Sequence, residues 1–127
     1  MNFTAFAAIG AGAALGAWAR WGLGLWLNPW FAMVPLGTLA ANLAGGYLVG
    51  CAVAVFHLNA DISPEMRLFV VTGFLGALTT FSTFSAEVVA LAQRGDYGWA
   101  AGAAGLHLFG SLLMTVLGIV TIHKLAA

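Results

Sequence analysis

Apolar residues run through this chain in four long stretches, at about 3–27, 36–57, 66–92 and 98–123, and the polar residues gather in three short breaks between them. Each stretch reaches the ~20 residues that a helix needs to cross the hydrocarbon core of a bilayer. The breaks carry turn chemistry. Asn28-Pro29 ends the first stretch, because the residue before a proline avoids the helical region. Pro35 marks the start of the second. Asn59, Asp61 and Ser63-Pro64 divide the second from the third, with Ser63 placed as an N-cap and Pro64 at the first helical position. Gly95-Asp96 divides the third from the fourth. Loops this short leave no room for a soluble unit. The pattern predicts an all-α integral membrane protein with four transmembrane helices in a single domain, residues 1–127.

The third stretch is longer than a span requires. As one straight helix it would extend about 40 Å at 1.5 Å per residue. Gly73 and Gly76 loosen its backbone, and the β-branched pair Thr79-Thr80 follows. A break near 76–80 is therefore expected, and a break frees carbonyls and amides that need partners in protein, ions or water.

Composition agrees with the lipid assignment. Of 127 residues 62 % are apolar and only 6 % charged, against ~25 % charged in soluble domains; mean hydropathy is +1.00. Formal net charge is zero, so no basic patch exists to neutralise the phosphates of a nucleic acid. The start, Met-Asn-Phe-Thr, lacks the basic residues of a secretory leader, so the first stretch reads as a retained helix. Cys51 is the only cysteine; it excludes an internal disulfide and has no metal-ligand spacing around it. No nucleophile–base–orienter set is visible, so an enzyme is not expected.

Charge placement carries one more message. Arg67 and Lys124 fall on one side of a four-span topology, Arg20 and Arg94 on the other. Two against two gives almost no orienting bias. A chain without bias inserts both ways, which makes an antiparallel dimer available. Small-xxx-small pairs at Gly12/Gly16, Gly46/Gly50 and Gly98/Gly102 predict close helix packing.

The polar residues inside the spans are the candidates for function, because lipid-buried polar groups are costly without partners or purpose. Thr79, Thr80, Ser82, Thr83 and Ser85 crowd seven positions, with Phe81 and Phe84 among them. At about 100° per helical residue, Phe81, Phe84 and Ser85 share one narrow face and Ser82 and Thr80 flank it. Such a face fits either helix packing, with hydroxyls bonded to the preceding turn, or the wall of a small-ion path. Ring edges beside hydroxyl donors suit an anion, and ring faces suit a cation. Asn42 lies mid-span on a stripe with Thr38 and Gly46, and its amide suits either a helix–helix bridge or an ion path. His107, Ser111 and Thr115 form a parallel stripe on the fourth stretch. Arg20 can snorkel to the interface. Glu87, near the end of its span, is within sequence reach of Arg94 for pairing.

Three segments together carry a family resemblance: Gly16-xxx-Arg20, Gly37-Thr38-xxx-Asn42-xx-Gly45-Gly46, and the unbroken run from Thr72 to Glu87. Taken in order along the chain they resemble the Fluc (CrcB) family of bacterial fluoride channels. The resemblance implies a dual-topology antiparallel homodimer in the bacterial inner membrane, passing fluoride out of the cytoplasm passively and selectively. It implies that Asn42 donates to fluoride, that Phe81 and Phe84 turn ring edges to the ion, and that Ser82, Thr83 and Ser85 form a polar track. It places Arg20 at a pore vestibule. It implies a structural sodium ion (Na+) at the dimer centre, held by the backbone carbonyls of Gly76 and Thr79. His107 stands where the family's fourth-helix pore residue varies. The competing reading is a small dual-topology, proton-coupled exporter of organic cations, which needs a deeply buried carboxylate where the first helix offers Arg20.

Overall fold

The computed structural model describes residues 2–127. Helix α1 spans Phe3–Leu27, a short 3-10 turn follows at Asn28–Trp30, and α2 spans Leu36–Leu58. We call α3 the helical segment 64–78. It begins as an α-turn at Pro64–Arg67, widens into π-type turns at Leu68–Leu75 and closes with an α-turn at Gly76–Leu78. Thr79 (φ −87°, ψ 157°) and Thr80 (φ −150°, ψ 119°) are extended. Helix α4 then spans Phe81–Gln93 and α5 spans Tyr97–Ala126.

The ends form where the sequence supplies caps. Asn2 Oδ1 accepts from the Ala5 amide at 2.7 Å, and Ser63 Oγ accepts from the Met66 amide at 3.2 Å. These bonds satisfy first-turn donors that have no helical partner. Arg67 stitches the α2–α3 loop: its guanidinium donates to the carbonyls of Ile62, Phe56 and Asn59 and lies 5.0 Å from the Phe56 ring centroid.

The chain is a multi-pass membrane protein. Among the described residues three helical segments are long and apolar enough to cross a bilayer: Leu36–Leu58, Pro64–Gln93 taken together, and Tyr97–Ala126. The pattern predicts four. Helix α1 has the length, 25 residues, but Arg20, five glycines and Trp18, Trp21 and Trp26 dilute its hydropathy below that of the other three.

Packing runs in two seams, α1 on α3 and α2 on α5. Both are backbone-to-backbone. A Cβ on Gly73 would stand 2.7 Å from the Ile9 carbonyl oxygen and 3.1 Å from Gly12 Cα; one on Gly118 would stand 2.9 Å from the Cys51 amide. Only glycine permits such approach, and with no hydrophobic driving force inside lipid, this intimacy supplies the dispersion that holds helices together. The pairs Gly12/Gly16 and Gly46/Gly50 lie in these seams. Gly98 and Gly102 do not: a Cβ on either would meet nothing within 4 Å inside the chain.

Candidate functional site

The functional candidates converge where the helical rod gives way. At Thr79–Thr80 four backbone groups change partners. In a continuous helix the Thr80 amide would bond the Gly76 carbonyl; here it donates to Asn42 Oδ1 at 2.8 Å. The Thr83 amide would bond the Thr79 carbonyl; here Thr80 Oγ1 takes it at 3.0 Å as the N-cap of α4. The carbonyls of Gly76 and Thr79 thereby lose their helical donors. The Ala77 carbonyl, which the Phe81 amide would satisfy, accepts instead from Arg20 Nε at 3.0 Å. The Thr80 carbonyl accepts from Asn42 Nδ2, also at 3.0 Å. Asn42 on α2 thus clamps the extended Thr80, and Arg20 on α1 holds the last helical turn before it.

Asn42 does one thing more. Its two bonds to Thr80 settle which end of the amide is oxygen, since a backbone N–H can only donate and a carbonyl only accept. Its remaining proton is directed to His107 Nδ1, which lies 2.9 Å from Asn42 Nδ2. Both Asn42 donors are therefore engaged inside the protein. That Nδ1 must be the unprotonated, accepting nitrogen, which puts the ring proton of the neutral imidazole on Nε2. His107 is 4 % exposed, and its Nε2 is buried with no partner among the described residues.

The aromatic groups meet at the same place. Phe81 and Phe84 stand 5.4 Å apart, edge to face at 77°, and Phe84 stacks on the His107 ring at 4.5 Å and 29°. Phe81, Phe84, Thr79, Thr80, Asn42, His107 and Ser111 line one cavity of about 400 Å³. Phe81 is 79 % exposed, so this wall has an open side. A second cavity of about 300 Å³ opens beside Arg20, Thr38 and Thr83. Of the expected polar track, Thr83 faces this second space, Ser82 is exposed with its Oγ 3.4 Å from Thr80 Oγ1, and Ser85 is half-buried on α4.

Glu87 is held differently from the sequence expectation. It accepts from Thr38 Oγ1 at 2.7 Å across the α2–α4 contact, while Arg94 pairs with Asp96 at 3.4 Å. The Thr38 hydroxyl is 5 % exposed and points across to α4; the sequence signal for it was the Thr38–Asn42 stripe. Among the described residues no three His, Cys, Asp or Glu side chains are grouped to hold a metal.

Comparison with known proteins gives one consistent result. Residues 7–119 match the family model described as CrcB-like protein, Camphor Resistance (CrcB). A protein of Nitrosospira multiformis named Fluoride-specific ion channel FluC is 61 % identical over 126 residues, covering 99 % of this chain and 98 % of that one. A protein of Dechloromonas aromatica with the same name is 61 % identical over 92 % of this chain and 87 % of its own length. One of Pseudomonas putida, again so named, is 59 % identical over 91 % of both chains.

Proposed function

This chain belongs to the CrcB family, and from that membership we propose that it is a fluoride-selective channel that lets the ion leave the cytoplasm passively. It is a channel and not an enzyme. The observation that carries the reading is the convergence of Phe81, Phe84, Asn42 and His107 on one cavity of about 400 Å³. Fluoride is small and strongly hydrated, so a pore must replace its water with donors. The positive edges of the two rings, the hydroxyls of Ser82, Thr83 and Ser85, and the polar ends of Asn42 and His107 are the groups available. Arg20, half-buried beside the second cavity, supplies a positive charge that draws anions to the mouth of the path.

The working unit is an antiparallel homodimer with four spans per chain in the inner membrane. The balanced placement of Arg20, Arg67, Arg94 and Lys124 supports it. So does the open side of the ring wall at Phe81, which a second copy would close. A sodium ion at the two-fold centre fits the break: the carbonyls of Gly76 and Thr79 have lost their helical donors to Asn42 and Thr80, and unwound carbonyls suit a monovalent alkali cation. Bound there, sodium would supply positive charge between two facing breaks. The exporter reading finds no support: Glu87 is tied to Thr38 near a helix end, and the relatives carry a channel's name.

The test is release of fluoride and of chloride from liposomes carrying the protein, each followed by an ion-selective electrode with a potassium ionophore present. Fluoride leaves and chloride stays. Equal release of both ions would remove selectivity from the reading, and release of neither would remove the channel.

A further inference from the structure

His107 presents a contradiction for any anion path through this cavity. The amide expected to serve the anion, that of Asn42, has no proton to spare, with one on the Thr80 carbonyl and the other facing His107 Nδ1. The group that does have a spare proton, His107 Nε2, is shut off from solvent and has no acceptor among the described residues. An unmet buried donor forfeits its hydration with no bond in return, so it calls for an explanation. The bonds to Thr80 do not offer one, because they hold Asn42 through backbone groups that stay where the chain puts them.

We infer that His107 acts as the anion's internal competitor: its Nδ1 lone pair holds the Asn42 proton while no anion is present, and gives it up by exchange when one arrives. This rests on the fluoride reading and deepens it. No proton is transferred. The Asn42 Nδ2–H bond to His107 Nδ1 breaks, and the same N–H bonds the anion. The imidazole, released from Asn42, turns against the flat face of Phe84. A ring stacked at 4.5 Å and 29° shifts in its own plane with little loss of contact. The turn takes the Nδ1 lone pair, which would repel an anion, out of the way and brings Nε2–H forward as a second donor. At rest the site's one unpaired imidazole donor, Nε2–H, is thus shut away from solvent, and when occupied the site offers two donors to the anion. His107 is in this respect a positioning residue for Asn42. An anion that is a weak hydrogen-bond acceptor does not displace Nδ1, so the exchange also discriminates against chloride.

The experiment uses the full-length protein in lipid nanodiscs with 15N-labelled histidine, titrated with sodium fluoride or sodium chloride. Without fluoride, His107 shows one unprotonated nitrogen, Nδ1, and one protonated nitrogen, Nε2. Fluoride moves both resonances and produces a 19F–15N coupling to Nε2; chloride does neither. The flux arm compares His107→Phe, which keeps the stack and loses both nitrogens, with His107→Gln, which keeps an acceptor and a donor. The Phe variant loses about tenfold or more of the fluoride flux, the fold-change of one charge-assisted hydrogen bond, and the Gln variant restores most of it. His107 resonances indifferent to fluoride, in protein that releases fluoride from liposomes, overturn this inference and leave the channel reading intact. Protein that releases no fluoride overturns the channel reading first. Should His107→Phe fail to assemble, the titration of the native chain decides alone.

Discussion

Replacing Asn42 by alanine isolates the clamp on the broken helix. The substitution removes both bonds to Thr80, to its amide at 2.8 Å and to its carbonyl at 3.0 Å. It leaves the helix ends themselves alone, since the N-cap bond from Thr80 Oγ1 to the Thr83 amide does not involve Asn42. Each orphaned backbone group would cost about 1–3 kcal/mol if fully buried. Thr80 is only half-buried, so water recovers part of this, and the two together come to about 2–4 kcal/mol of local stability. Read by hydrogen exchange at the Thr80 amide, that corresponds to about 30- to 1000-fold faster exchange. The effect is local: amides in the α2–α5 seam around Gly46, Gly50 and Gly118 keep their protection, because that seam is built from backbone contact and not from Asn42. Exchange at Thr80 within a few-fold of the native rate would show that the extended pair is held by something other than the amide. Uniform acceleration across α2 and α5 would show that Asn42 holds the whole fold. Either result refutes the clamp.

Phe81→Ile and Phe84→Ile each suppress fluoride efflux in liposomes while the protein still folds into the membrane, because branched aliphatic groups fill the space without a positive ring edge. Thr38→Val removes the 2.7 Å bond to Glu87 and lowers thermal stability in detergent by about 1.5–3 kcal/mol, the range for a bond to a charged group; Thr38→Ser keeps the hydroxyl and most of the stability. Gly118→Ala sets a methyl against the Tyr47 carbonyl and the Cys51 amide and destabilises by about 1–3 kcal/mol or more through overpacking. Gly102→Ala, with nothing within 4 Å, raises the thermal midpoint, as expected for ~0.5–1 kcal/mol gained when alanine replaces glycine in a helix interior. A fall instead would mean that another chain packs on this face.

Much of this could be read from the residues. Asn28-Pro29 marks the end of α1 and Ser63-Pro64 the start of α3, and the density of hydroxyls between Thr79 and Ser85 marks the candidate site before any contact is known. Partners across helices were harder. Glu87 and Arg94, which follows just beyond the same stretch, are seven residues apart and within reach of pairing, yet Glu87 turns to Thr38, 49 positions away in sequence. Whether a small-xxx-small pair packs within the chain depends on which face meets a neighbour. Gly46/Gly50 does and Gly98/Gly102 does not, and the two patterns are identical as text. The π-type turns at Leu68–Leu75 have no signature in composition. The two engaged protons of Asn42 are likewise invisible in sequence, since they depend on an extended Thr80 and a histidine 65 positions away.

The glycine seams have a consequence for how this protein tolerates change. Gly12, Gly16 and Gly73, like Gly50 and Gly118, admit no side chain, so mutational scanning will find them as unforgiving as the ring pair and Asn42. The two kinds of intolerance differ in what is lost. A seam glycine replaced removes folded protein from the membrane, whereas a ring replaced, on the proposed path, leaves protein in place that no longer passes its ion. Measuring abundance beside resistance to fluoride would draw the map of the pore directly, as the set of positions where the second falls and the first does not.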